Sequence, residues 1–395
     1  MMAKAGSLGY RPGDPEWVNF GQGQPETGPL PGAPDRVSTI QVSHDGHEYS
    51  PVSGVFALRQ AVADYYNRHY RRGQASQYTA HNVCITAGGR AALTRIAAAI
   101  DSINLGHFLP DYTAYEELLD LFRRLAPIPI LLEPKEGYQI SLKQLEYEIL
   151  GRGLGAILLS NPNNPTGRHI RGEELKGWVD IANRLSCTMI FDEFYSSYLW
   201  SNQDRLRSSA AQYVRSVNED PIVIVDGLTK NWRYPGWRIA WIVGPEEIIE
   251  RVASTGSFLD GGAPHPMQDA AIQLLDDDYA DREAAALQSH FIKKRTLLLQ
   301  GLRDLGLQID LEPEGTFYVW ASLAPFANKY PDAMAFFSES LKEKVITVPG
   351  KFFDVNPGGR RSIRPSRFRH HVRFSFGPPI EQIEKGLTRL QSLLR

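Results

Sequence analysis

An α/β fold is what this sequence predicts: a large domain with a mainly parallel, doubly wound sheet, joined to a smaller α+β domain. Three observations carry that expectation. Short apolar runs rich in β-branched residues alternate with helix-length segments between residues 83 and 243, the order of βαβ units. Those runs end repeatedly in glycine, asparagine, an acid or a lysine, as buried strands do when they deliver polar residues to one rim of a sheet. After about residue 283 the order changes to a long helix reaching about Leu305, shorter strands and a final helix. Residues 49–282 are therefore expected to form the large domain, and residues 1–48 with 283–395 an N-terminal arm plus the small domain.

The arm is rich in Gly, Pro and polar residues and is expected to lie extended over another part of the molecule. Residues 21–28 superficially suggest a dinucleotide loop, but the spacing is wrong, Pro25 interrupts it and no helix follows. Residues 49–54, starting at Tyr49, read as a turn, after which Leu58, Val62, Tyr65 and Tyr66 recur at helical spacing. Residues 83–89 read as a strand running into Gly88 and Gly89, ahead of an alanine-rich helix over 90–100. A strand, a glycine turn and a helix N-terminus gather unpaired backbone amides around one point. That suits an anion such as phosphate, although a plain tight turn needs the same glycines. Residues 108–116 end another strand. Thr113 and Glu116 have capping-box spacing, and Tyr112 just before them serves either as a ring face for a planar ligand or as an apolar staple.

Residues 155–160 form the next buried strand and lead into Asn161-Pro-Asn-Asn-Pro-Thr-Gly167, a turn stiffened by two prolines, with amide donors expected to point outward. Residues 187–192 end in Asp192, and Tyr195 follows three positions later. A buried carboxylate calls for a cationic partner, unless Asp192 merely caps the next segment. The run 222–225 then leads to Lys230, and Arg238 follows eight residues on, before a further apolar strand over 239–243. A lysine lodged among aromatic residues and beside a second cation loses its proton more readily and becomes a nucleophile; the ordinary alternative is a strand-end lysine and a surface arginine. Residues 360–371 are dense in arginine and hold no acid, either a solvated basic loop or a patch for an anionic substrate through Arg361, Arg364 and Arg367. Arg373 differs from them, because it falls in an alternating strand over 372–376.

Composition narrows the partners. In 395 residues the net charge is −2, which gives no overall attraction to nucleic acid or to an anionic membrane. No run approaches the ~20 apolar residues that span a bilayer, and residues 1–10 lack the apolar core of a secretory signal. The two cysteines, Cys84 and Cys187, have neither metal nor redox spacing, so no metal is expected and a reducing cytoplasm fits best.

A lysine amine, an acid, a phenol, a ring face, a phosphate cradle and loop amides at the rim of one sheet have one explanation in common, pyridoxal 5'-phosphate. From about Gly21 to the C-terminus the chain resembles fold-type I pyridoxal-phosphate enzymes of the class I/II aminotransferase (aspartate aminotransferase-like) family. The resemblance implies that Lys230 is the Schiff-base lysine and that Arg238 binds the cofactor phosphate with the backbone of Gly89 and Arg90. It implies that Tyr112 stacks on the pyridine ring, Asp192 partners the ring nitrogen, and Asn164 and Tyr195 donate to the phenolic oxygen. Arg373 would clamp the substrate α-carboxylate, with Gly23 in the arm that closes over substrate. Tyr49 would reach the phosphate of a neighbouring subunit, which implies a homodimer with shared active sites. Substrates would be small molecules, an α-amino acid and a 2-oxo acid, exchanged by transamination. Arg233 and Tyr234, where small or apolar residues are usual, and the basic 360–371 insert motivate the alternative of β/γ-elimination or replacement, as in carbon–sulfur lyases or relatives of aminocyclopropane-carboxylate synthase. A non-catalytic scaffold is disfavoured by the presence of Lys230, Asp192 and Arg373 together.

Overall fold

The computed structural model describes residues 1–200, 206–361 and 365–394. Twelve strands occur among them: β1 (Val18–Asn19), β2 (Val83–Thr86), β3 (Ile103–Leu109), β4 (Leu125–Leu131), β5 (Leu154–Ser160), β6 (Thr188–Asp192), β7 (Ile222–Gly227), β8 (Ala240–Val243), β9 (Tyr318–Ser322), β10 (Val345–Ile346), β11 (Val348–Pro349) and β12 (His371–Ser375). Seven of them make one sheet in the order β2-β8-β7-β6-β5-β3-β4. Its pairings are parallel except at β8, which runs against both neighbours. The reversal follows from connectivity: a parallel neighbour to β7 needs a crossover helix, and only a loop with one short 3-10 turn separates β7 from β8.

The strands are made by the apolar runs that the sequence shows. β7 and β8 are buried along their whole length, and β5 and β6 nearly so, as strands covered by helices on both faces must be. The helices Gly89–Ala99, Leu142–Arg152 and Gly172–Leu185 each bury one apolar stripe. Leu142–Arg152 shows how such an element is bounded, with the Ser141 hydroxyl capping its start and Gly153 in the left-handed region ending it.

A second, antiparallel sheet has the order β11-β12-β9, and β1 of the arm pairs in parallel with β10. The arm thus docks where the small sheet begins. It is not extended throughout, since Met2–Ser7 form a helix whose Ala5 packs with Trp17, Phe337, Leu341 and Ile346. The long helix covers Asp277–Asp304, starting earlier than residue 283, because the Asp276 carboxylate caps it by accepting from the amides of Asp278 and Tyr279. β9, one of the shorter strands expected after the long helix, starts only at Tyr318, since Thr316 has φ +65° and cannot continue a strand. The final helix, Ile380–Leu394, buries Ile383, Leu390 and Leu394, and a Cβ at Gly386 would collide with the Phe20 ring of the arm.

Candidate active site

Every parallel strand of the large sheet except the edge strand β4 ends in residues that line one cleft of about 650 Å³. After β2, Gly88 has φ +92° and precedes the helix Gly89–Ala99. Both glycines are required sterically. A Cβ at Gly88 would collide with the Arg238 guanidinium and one at Gly89 with the Phe194 ring. The result is a helix N-terminus, with its unpaired amides, brought against a guanidinium: a cradle for an anion. Arg238 itself has φ +55° and donates Nη1 to the Pro235 carbonyl at 3.1 Å.

After β3 comes Asp111, whose carboxylate accepts from the Ser160 hydroxyl at 2.5 Å and from the Tyr112 amide at 2.7 Å. Burial pushes the Asp111 carboxyl up to about 8. Tyr112 lines the cleft beside Gly89 and Arg90. The capping box read at Thr113 and Glu116 is not formed. Thr113 has helical angles, φ −55° and ψ −32°, whereas a capping side chain needs an extended residue from which to turn back.

The loop after β5 also corrects an expectation. Its side chains do not point outward: Asn161, Asn163, Asn164 and Thr166 are all buried, and those of Asn161, Asn163 and Thr166 bond within the loop itself. The Asn163 carboxamide oxygen accepts from Thr166 Oγ1 at 2.7 Å, and the Asn164 amide donates to Ser160 Oγ at 3.0 Å. Asn164 Oδ1 accepts from Arg373 Nη1 at 3.0 Å, and Arg373 Nη2 donates to the Gly21 carbonyl at 3.1 Å. The Arg373 guanidinium lies 3.9 Å over the Tyr318 ring.

Asp192 ends β6 and is buried. Its hydrogen-bond partner is a phenol, Tyr115, which donates to Oδ2 at 3.0 Å, and the cation expected nearby is Lys230, which acts on it through its charge. Burial pushes the Asp192 carboxyl up to about 6, opposed by Tyr115, the Phe194 amide and Lys230. Lys230 is half-buried on the turn after β7, which is held by the buried carboxylate of Asp226 through Asn231, Ser196 and the Gly227 amide. Its Nζ donates to the Gly23 carbonyl of the arm. Burial, then Arg373, Arg238 and Arg90, bring the Lys230 ammonium down to about 7, with Asp192 acting the other way.

The cleft thus brings together Lys230, Asp192, Tyr195, Gly89, Arg90, Tyr112, Asn164, Arg238, Arg373 and Gly23. Tyr49 is not among them; it is 95% exposed at the surface of the chain. The basic run is only partly a solvated loop. Arg361 pairs with Asp354 at 2.5 Å and donates to the Val355 carbonyl at 2.7 Å, so its charge is committed, whereas Arg367 is exposed. Arg364 lies outside the described residues. Sequence reasoning missed Tyr318 and Tyr115, which reach the site through contacts between elements; Tyr115 sits three positions after Tyr112, one helical turn on, which was a usable signal.

The family described as aminotransferase class I and II matches residues 15–390. The chain belongs to this family. It is an enzyme, an aminotransferase by kinship. An aspartate aminotransferase of Streptomyces avermitilis is 25% identical over 389 residues, covering 95% of this chain and 89% of its own. An aspartate/prephenate aminotransferase of Thermus thermophilus is 27% identical over 352 residues, covering 88% of this chain and 83% of its own. Among solved structures, a double mutant of the Thermus thermophilus aspartate aminotransferase superimposes with a TM-score of 0.79 at 25% identity, over 99% of this chain and 95% of that one. The aminotransferase fold accounts for the mainly parallel sheet with one reversed strand and for the cleft at its rim.

Proposed function

We propose that this aminotransferase works with pyridoxal 5'-phosphate on an α-amino acid and a 2-oxo acid, as a homodimer. One observation carries the reading: an easily deprotonated lysine, a buried carboxylate and a buried, aromatic-stacked arginine face the same cleft beside a helix N-terminus. These residues suit the cofactor. The Gly88-Gly89 cradle with Arg238 would take its phosphate, Tyr112 its ring face, Asp192 its ring nitrogen, and Asn164 and Tyr195 its phenolic oxygen. Bound there, the cofactor supplies a carbonyl that takes up the amino group and a ring that takes up electrons from Cα.

The chain's own residues do the rest. Lys230 is neutral in a large fraction of molecules near pH 7, so its amine can accept the Cα proton and return it. Asp192 would keep a proton on the cofactor's ring nitrogen. Arg373 presents two parallel N–H groups to the α-carboxylate, in competition with the Gly21 carbonyl that one of them now holds. Gly23 would lie in the arm that covers the substrate, and its carbonyl accepts from the Lys230 amine. The division into residues 49–282 and residues 1–48 with 283–395 belongs to this reading, since the cleft draws on the large sheet, the small sheet and the arm together. A reducing cytoplasm is consistent with two buried cysteines that are both free.

The test is a visible absorbance scan of the cofactor-loaded protein during addition of a panel of amino acids, with mass spectrometry of the products. Conversion to the pyridoxamine form with release of a 2-oxo acid is the expected result and names the donor. Release of a thiol, or of pyruvate without an amino acceptor, would move the enzyme to elimination. Lys230→Ala is expected to lower kcat by roughly 10²–10⁴-fold or more.

A further inference from the structure

Tyr318 stands between two groups of the proposed site and touches both. It is fully buried on β9. Its ring carries the Arg373 guanidinium at 3.9 Å from the centroid, and its hydroxyl shares a 3.0 Å hydrogen bond with the hydroxyl of Tyr195. The register explains how one side chain reaches both. Arg373 on β12 lies opposite Trp320, and Tyr318 lies opposite Ser375, so Tyr318 is the diagonal neighbour of Arg373 on the same face, within reach of long side chains. Gly23 of the arm lies against the same hydroxyl, since a Cβ built there would be 4.0 Å from it.

The two contacts have different consequences. A guanidinium is planar, and stacking on a ring fixes its plane. With Nη1 on Asn164 Oδ1 and Nη2 turned toward the Gly21 carbonyl, the ring leaves Arg373 one orientation. The hydroxyl pair is governed by proton count. A phenol has a single O–H donor and two acceptor positions. Tyr195 donates into the cleft only when it accepts from Tyr318; with the pair reversed, its only proton is spent on its neighbour. A chain running from Tyr318 through Tyr195 into the cleft also polarises each bond in turn.

Resting on the reading of Arg373 as the carboxylate clamp and Tyr195 as a donor to the cofactor, we infer that Tyr318 is a positioning residue with two separable tasks. Its ring sets the plane of Arg373 for the α-carboxylate, and its hydroxyl turns the proton of Tyr195 toward the cofactor.

The experiment separates hydroxyl from ring in the cofactor-loaded protein. Tyr318→Phe keeps the ring and removes the hydroxyl; Tyr318→Leu removes both. The first readout is the pH midpoint of the visible absorbance change, which a donor to the cofactor's oxygen lowers. Tyr318→Phe is expected to raise it by about half a unit to one unit, the worth of one hydrogen bond. Tyr195→Phe is expected to raise it further, and the double Phe variant no further than Tyr195→Phe alone. The second readout is the affinity for 2-aminoisobutyrate, which offers the α-amino and α-carboxylate groups but no Cα proton. Tyr318→Phe is expected to bind within about twofold of the wild type, and Tyr318→Leu about three- to thirtyfold more weakly, the range of a desolvated cation–π contact.

An unmoved midpoint in Tyr318→Phe alongside a moved one in Tyr195→Phe would overturn the hydroxyl's task. Wild-type affinity in Tyr318→Leu, with Arg373→Lys impaired, would overturn the ring's. If Tyr195→Phe leaves the midpoint unchanged and Arg373→Lys leaves the affinity unchanged, the underlying reading of the site fails instead. Should the Leu variant not fold, Tyr318→Phe and the double variant still decide the hydroxyl's part.

Discussion

The residue on which the site's support turns is Asp111, a carboxyl with nowhere to put its charge. It is fully buried; Oδ1 takes the Ser160 hydroxyl and the Tyr112 amide, and Oδ2 has no partner among the described residues. Through Ser160 it holds the amide of Asn164, and Asn164 in turn holds Arg373. Its folded pKa, about 8, lies above the usual carboxylate value of 3.8. Folding therefore takes up a proton across that interval, and the protein loses stability as pH rises from about 4 to about 8. Asp111→Asn keeps the acceptor oxygen and carries no charge at any pH. Its thermal midpoint relative to the wild type is expected to climb from pH 5 to pH 8, by several degrees. A difference independent of pH would show that Asp111 is ionised in the fold.

At the scale of elements, the departures at Arg233 and Tyr234 acquire a purpose. Arg233 is buried and pairs with Glu283 of the helix Asp277–Asp304 at 2.6 Å. It also donates Nη1 to the carbonyls of Glu26 and Gly28 in the arm, at 3.0 and 2.6 Å. Arg36 completes the latch. It stacks on Tyr234 at 3.5 Å, donates to the carbonyls of Trp232 and Arg233 and lies 3.7 Å from Glu283. The segment after Lys230 thus binds the arm that covers Lys230, which gives Arg233 and Tyr234 a structural task and removes them as evidence for elimination chemistry. Arg233→Met leaves Glu283 buried with only the more distant Arg36, and should cost about 3–5 kcal/mol in urea unfolding, with Glu283→Leu in the same background recovering part of it. Hydrogen exchange should rise over residues 22–37 in the single variant. Equal and additive losses in the two single variants would show that the pair is not coupled. Elements were also where the sequence was most and least legible. Lys230, Asp192 and Asn164 stood out because each follows an apolar run, and one run after another implies one rim. The reversed β8, the burial of the Asn161 loop and the placing of Tyr318 under Arg373 depend on which strand lies beside which, and periodicity carries no information on that. Thr113 shows the converse: a motif of correct spacing fails when the backbone at its first residue is already helical.

At the scale of the whole molecule, large aromatic side chains stay exposed among the described residues. Phe258 is 94% exposed, Tyr49 95% and Phe56 58%. Tyr49 and Phe258 lie on neighbouring segments, tied where His265 contacts the Glu48 carbonyl at 3.3 Å and the Ser50 hydroxyl donates to the Ala263 carbonyl at 3.0 Å. Large exposed aromatics on neighbouring segments suit a surface that meets another protein, and in the proposed homodimer a second copy of the chain would cover them by twofold symmetry. Sedimentation should give twice the chain mass, and Phe258→Glu should shift it toward one chain by burying a charge in that contact. Tyr49 then supplies a sharper test, because its proposed target is the neighbour's phosphate site and not its own. Lys230→Ala is expected to inactivate its own cleft, and Tyr49→Phe to weaken cofactor binding in the cleft across the proposed interface. In a hybrid of the two variants, one cleft has both defects and the other has neither. Mixing and reassociating the two should therefore restore cofactor affinity and turnover to one cleft per hybrid, about a quarter of wild-type activity in a random mixture of equal amounts if neither parent dimer is active. If Tyr49 acted within its own chain, every hybrid cleft would keep one defect and nothing would be restored.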